Sequence, residues 1–167
     1  MNVEIRIPTE KEIDELWAYN MSSHPGDERW VRWAREYKEY YRKNWAQPFA
    51  VIIDGVPVGE VSILLDGRVK AANNDSRLVE MPTRANLNAL RIRREFEGKG
   101  YVSAMVKYAE NWCVQRGITT MTIGVDEWET RNRAIYEHWG YTVFLFDMTD
   151  EDGRVLFYAK NLLEQKR

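Results

Sequence analysis

The stretch Arg91-Ile92-Arg93-Arg94-Glu95-Phe96-Glu97-Gly98-Lys99-Gly100-Tyr101-Val102 decides how this chain is read. Ala85 to Arg93 reads as a strand, and two glycines then punctuate a turn. Beyond it Val102, Met105, Val106, Ala109, Trp112 and Cys113 give the cleanest helical stripe in the chain, closed by Gly117. The N-terminus of a helix carries unpaired N–H groups and a partial positive charge, so a phosphate is its natural partner. Glycines let a backbone approach such a ligand closely, and Lys99 with the preceding arginines adds cations suited to phosphate oxygens. A plain strand–helix turn would need the same glycines for geometry alone. Gly98-Lys99-Gly100 is not a Walker loop, because the Gly-Lys-Ser/Thr ending is missing. The dinucleotide fingerprint fails too, for want of its third glycine.

Toward the N-terminus, Val3 to Ile7 alternates apolar and polar residues at strand period. Thr9 and Glu12 stand at capping-box spacing ahead of a short helix with Ile13, Leu16 and Trp17 on one face. His24-Pro25-Gly26-Asp27 is a turn whose aspartate can cap a second helix over 28–43. Its face is aromatic: Trp30, Trp33, Ala34, Tyr37, Tyr40 and Tyr41 recur at offsets of three and four. Pro48–Ile53 and Val56–Leu65 are strands joined at Asp54-Gly55, a two-residue hairpin signal. Residues 67–84 are polar and irregular. Toward the C-terminus come a helix at 99–116, a strand at 119–125, a helix at 131–139 stopped by Gly140, and strands at 141–148 and 154–160.

The order β-α-α-β-β-β-α-β-α-β-β predicts an α/β chain of mixed α+β character. A central mixed, mostly antiparallel twisted sheet of about seven strands would be flanked by four helices, as one domain over 1–167. With 167 residues, such a domain buries roughly 70% of its unfolded surface without metals or disulfides.

Composition narrows the function classes. Lys+Arg number 24 against 26 Asp+Glu, a net charge of −2, which argues against a dedicated nucleic-acid binder. No apolar run approaches the roughly 18 residues that span a bilayer, and the N-terminus lacks a signal-peptide build. One cysteine and two histidines supply neither a disulfide nor a metal cluster. The expectation is a cytoplasmic protein without a metal. Seven tryptophans leave room for an aromatic interface in a homodimer.

Read onward through Thr130-Arg131-Asn132-Arg133-Ala134-Ile135-Tyr136-Glu137-His138-Trp139-Gly140-Tyr141, the segment resembles the core of the GNAT superfamily of acyl-CoA-dependent N-acetyltransferases. The motif resemblance covers residues 85–145, and the element order extends it to the whole chain. The family loop, Gln/Arg-x-x-Gly-x-Gly/Ala, appears as Glu97-Gly98-Lys99-Gly100-Tyr101-Val102. Glu97 stands where a basic or amide residue is usual, and Val102 replaces the final small one. Glu97 would repel a pyrophosphate unless it turns outward or pairs with Arg93 or Arg94. Val102 keeps its N–H.

The resemblance implies a fold of GNAT type, acetyl-CoA as cosubstrate, and a primary amine of a small molecule or peptide as acceptor. It assigns the pantetheine arm to backbone groups of Arg91, Ile92 and Arg93, and the phosphates to Gly98, Lys99, Gly100, Tyr101, Val102 and Ser103. The signature Asn-x-x-x-Tyr-x-x-x-Gly-Tyr/Phe falls on Asn132, Tyr136, Gly140 and Tyr141. It makes Tyr136 the catalytic group that protonates the departing thiolate, with Asn132 one turn before it. A tyrosine on a short helix beside Ile135 and Trp139 would also suit a core role. The side chains of Arg91 and Arg93 serve either the cofactor phosphates or a solvated strand face.

The acceptor amine must lose a proton before attack. Glu60, Glu80, Asp126, Glu127 and Glu129 are candidate bases or anchors, with Asp126 and Glu127 best placed at the end of strand 119–125. Water-mediated removal serves equally. Trp30, Trp33, Tyr37 and Tyr41 lie where family members vary to receive substrates, although their spacing is that of core. Acidic plus aromatic lining would suit a cationic amine. His24 is expected to be solvated, His138 to be packing or surface, and Cys113 a buried structural thiol. A non-catalytic acyl-CoA-binding or regulatory domain is the alternative reading, supported only by Glu97 and Val102.

Overall fold

The computed structural model describes residues 1–164. Its elements run β1 (Val3–Arg6), α1 (Glu10–Ser22), α2 (Glu28–Arg42), β2 (Ala46–Ile53), β3 (Val56–Leu64), β4 (Arg84–Ile92), α3 (Tyr101–Gln115), β5 (Thr120–Asp126), α4 (Thr130–His138), β6 (Val143–Asp150) and β7 (Gly153–Asn161). The strands form one mixed sheet of seven, as expected, in the order β1-β2-β3-β4-β5-β7-β6, with β7 inserted between β5 and β6. The chain divides into two compact units, Met1–Ile63 with Ala89–Ala109, and Leu64–Asn88 with Glu110 onward.

In the first unit β1 pairs antiparallel with β2, Val3 opposite Ile53 and Arg6 opposite Ala50. Asp54 and Gly55, at φ +50° and +82°, turn β2 back into β3, the left-handed pair that a two-residue hairpin needs. β2 and β3 are buried along almost their full length, so both faces are covered rather than one. Opposite parities show how: Phe49 meets Tyr108 of α3 with ring centroids 5.8 Å apart, while Ala50 and Ile52 cluster with Leu16 of α1. The capping box at Thr9 and Glu12 forms as expected. Glu12 also accepts two hydrogen bonds from Arg6, at 2.7 and 2.9 Å, which holds its carboxyl down at about 2. The buried stripe of α1 is therefore Glu12, Leu16, Trp17 and Asn20. Ile13, expected within it, is only half-buried, because the polar Glu12 and Asn20 both have partners inside.

In the second unit β5 runs parallel to β4, Arg84 opposite Thr120 through Leu87 opposite Ile123. β7 pairs antiparallel with β5 and with β6, and β6 carries an irregularity between Phe144 and Phe146. The segment expected to be irregular holds a short 3-10 turn over Lys70–Ala72. Val69, Ala72, Leu78 and Val79 within it are buried, so this loop carries core that its polar composition hides. Asp66 and Asp75 fold it locally, each accepting from the N–H two residues on at 2.9 Å.

Candidate active site

The first unit holds the glycine turn. β4 ends at Ile92, a 3-10 turn covers Arg94–Phe96, and Gly98 and Gly100 sit at φ +72° and +84° before α3 begins. A Cβ at either glycine would meet nothing within 4 Å, so their requirement is the left-handed backbone and not space. Ala104 makes the first helical bond, to the Gly100 carbonyl at 3.1 Å. Among the described residues, the amides of Gly98, Lys99, Gly100, Tyr101 and Val102 donate to no backbone carbonyl. That set of N–H groups fits a phosphate. Glu97 is exposed and forms no ion pair among the described residues. It pairs with neither Arg93 nor Arg94 among the described residues. Val102 is half-buried and Ser103 exposed.

Upstream, Ala89 sits at φ +55° in the middle of β4, a conformation disfavoured by about 1–2 kcal/mol for a residue with a Cβ. Beyond it the side chains of Arg91 and Arg93 turn toward α1. The Arg91 guanidinium lies 4.9 Å from the Trp17 ring centroid and 5.1 Å from that of Trp30. One of its nitrogens donates to Glu60 Oε1 at 3.1 Å. Asn20 Nδ2 donates to the other Glu60 oxygen at 3.0 Å. The Arg93 guanidinium lies 3.9 Å above the Tyr19 ring. Neither arginine is therefore a simple solvated charge.

These groups line a cavity of about 370 Å³ between β3, β4, α1 and the start of α2, within which Trp30, Glu60, Arg91 and Arg93 stand together. Trp33, expected with Trp30, does not line it; its ring meets Trp30 edge-on at 5.1 Å and Arg29 at 5.7 Å. His24 lines the cavity instead. Although exposed overall, it is not simply solvated: its ring stacks on Trp30 at 4.0 Å, and Nδ1 lies 2.8 Å from the Asn20 carbonyl. A carbonyl only accepts, so Nδ1 carries the proton and Nε2 of the neutral ring is the acceptor. Tyr41 reaches Ser62 at 2.7 Å as part of the packing.

The second unit holds the signature helix. Tyr136 is half-buried on α4 and lines a cavity of about 180 Å³ with Val125, Arg133, Tyr141 and Tyr158. Burial and the neighbouring Glu129 push its hydroxyl up to about 12, so at neutral pH it is a proton donor. Asn132 donates to Glu129, and the Asp126 carboxyl lies beside the same carboxylate. Burial first and Glu129 second raise the Asp126 carboxyl above the usual range. Glu127 is held by Arg154, which also pairs with Asp147 at 2.5 Å. Tyr141 is structural: its hydroxyl donates to buried Glu110 at 2.7 Å, which Lys160 also holds at 2.9 Å. His138 is exposed, and Cys113 is buried with its thiol pushed up to about 12 by burial.

Sequence reasoning named the glycine turn, Tyr136, Glu60 and Arg91, but not the chain that joins Asn20, Glu60 and Arg91, nor the cavity position of His24. One signal was available: Glu60 is the sole acid in the apolar run Val56 to Leu64.

The model of the acetyltransferase (GNAT) family matches residues 12–141. No curated protein matches the sequence. Among solved structures the chain resembles an aminoglycoside 6'-acetyltransferase type Ii, with TM-score 0.75 and 16% identity, covering 99% of this chain and 100% of that one. An N-acetyltransferase of Thermoplasma acidophilum in complex with coenzyme A gives 0.64 at 16% identity, covering 96% and 99%. The ribosomal-protein-S18-alanine N-acetyltransferase of Escherichia coli gives 0.67 at 12%, covering 99% and 97%. At these identities the likeness is one of fold.

Proposed function

We propose that this chain, which belongs to the GNAT acetyltransferase family, transfers an acetyl group from acetyl-CoA to a primary amine by direct attack, with 1–167 serving as one acetyltransferase domain. The observation that carries the reading is the turn at Gly98 and Gly100, whose left-handed glycines leave the amides through Val102 uncommitted at the start of α3. Lys99 and those amides, continued by Ser103, would hold the phosphates, and backbone groups of Arg91, Ile92 and Arg93 the pantetheine arm. Bound there, acetyl-CoA supplies the activated acyl thioester.

The chain's own groups account for the remaining chemistry. A backbone N–H near Ile92 polarises the thioester carbonyl as an oxyanion donor does. Tyr136 holds its proton firmly and delivers it to the thiolate as that charge develops. Asn132 holds Glu129. Of the two acids at the end of β5, Asp126 is the better proton acceptor, because its basicity is raised while Glu127 is neutralised by Arg154. Cys113, buried and hard to ionise, offers no acyl-enzyme route.

Thermal unfolding with and without acetyl-CoA tests the reading, with adenosine diphosphate as the control for phosphate binding alone. At 100 times its dissociation constant a ligand adds about 2.7 kcal/mol, a rise in Tm of roughly 5–10 °C for a domain of this size. No rise at saturating acetyl-CoA refutes the proposal.

A further inference from the structure

The cavity beside β4 has a charge balance that bears on the acceptor. Its ionised walls are Arg91, Arg93 and Arg94 against the single carboxylate of Glu60. Both oxygens of that carboxylate are occupied, one by Arg91 and one by Asn20. Glu60 is also 5% exposed, so it has little left to offer an incoming ammonium. The His24 ring adds no negative charge in either protonation state. Asp27, the nearest other acid on that loop, is engaged by Arg29 at 2.9 Å and does not line the cavity. The space is therefore lined by cations in excess. Such a lining is not the acidic plus aromatic one that would suit a cationic amine.

The arginines are also held for recognition. Side chains two apart on a strand share a face, so Arg91 and Arg93 stand side by side above α1. Aromatic rings fix each one: Trp17 and Trp30 for Arg91, Tyr19 for Arg93. A guanidinium placed over a ring still has N–H groups to offer a planar oxyanion. The Nε atoms of both are buried and bond to nothing among the described residues. Arg93 has no ion pair or hydrogen bond from its side chain there. The rest of the wall is apolar, with Leu16, Trp30, Val58 and Ile92, and about 370 Å³ suits a small molecule.

We propose that this cavity takes an acceptor amine that also carries a carboxylate, an amino acid in chemical class, whose anionic end is read by Arg93 and Arg91. The assignment rests on the acetyltransferase reading above and narrows it. Polyamines and aminoglycosides, with several positive charges and no negative one, are disfavoured in the same space. The arginines divide their labour with the glycine turn, backbone amides serving the cofactor and side chains the acceptor.

The test uses the full chain and a panel of aliphatic and aromatic amino acids, each against its own C-terminal amide, with spermidine and kanamycin as polycations. Binding is read by calorimetry and acetyl transfer by thiol release. At least one acid is expected to bind about ten- to a hundredfold tighter than its amide, the range for a charge-assisted hydrogen bond. Arg93→Met, which keeps the backbone groups assigned to the pantetheine arm, should bring that ratio close to one. Amides bound as well as acids, or polycations preferred, would overturn the assignment. So would an Arg93→Met variant that loses coenzyme A instead, since the arginine would then serve the cofactor. Should coenzyme A fail to bind while the preference for acids persists, the transferase reading falls and the anion-reading cavity stands.

Discussion

The Glu60–Arg91 pair offers a perturbation whose size follows from its setting. The Glu60 side chain is 7% exposed and that of Arg91 27%. Charges about 4 Å apart at an effective dielectric constant near 20 attract by roughly 4 kcal/mol, and desolvation cancels about half of that. Arg91→Met keeps the stem against Trp17 and Trp30 but leaves a buried carboxylate with Asn20 alone. Stranding one member of a fully buried pair costs about 3–5 kcal/mol, and the partial exposure of Arg91 places this loss near 3. Glu60→Gln keeps shape and an acceptor, so about 2 kcal/mol is expected. The double variant removes both charges together and should cost about 3 kcal/mol in all. The coupling between the two sites is then about 2 kcal/mol, readable by urea unfolding of all four proteins at pH 7. Additivity within about 0.5 kcal/mol would refute the reasoning. Arg91 would then be held by its rings, and the single carboxylate would not govern the charge of the cavity.

Tyr136→Phe should lower kcat by about a hundredfold while leaving acetyl-CoA affinity unchanged; equal loss of binding and rate would make the ring structural. Glu12 adds a pH dependence whose sign is fixed: its carboxyl lies at about 2 in the fold against 4.5 ordinarily. Its stabilisation is complete above about 4.5 and lost as pH falls toward 2. Because Arg6 is 37% exposed, solvent screening limits the effect to about 1–2 kcal/mol. Unfolding curves between pH 5 and 2 should steepen for the native chain relative to Glu12→Gln, and identical slopes would contradict the ion pair.

What the sequence made legible were features set by neighbours along the chain. Thr9 with Glu12 forms its capping box, Asp54-Gly55 its hairpin and Gly98-Lys99-Gly100 its left-handed turn, because each depends on residues within a few positions. The mixed sheet of about seven strands followed from the element order, but the insertion of β7 between β5 and β6 did not. Hidden were meetings across long separations: Asn20 with Glu60 and Arg91, or Tyr141 with Glu110 and Lys160. A polar residue shows no partner in the sequence, which is why Glu60 was one of five candidate acids and the side chain of Arg91 stayed open between the cofactor phosphates and a solvated strand face. His24 is exposed, as its turn implies, but a turn says nothing of the ring it stacks on.

Ala89 has a consequence for assembly of the sheet. A regular strand can slide by two residues and present the same faces, so periodicity alone does not fix its alignment. A left-handed residue breaks that translational symmetry. Sliding β4 would put the left-handed seat on Leu87 or Arg91, side chains larger than alanine, and would carry Arg91 away from Glu60. Ala89 thus works as an index mark on β4, and its small backbone strain secures one alignment of the chain against its near-equivalents.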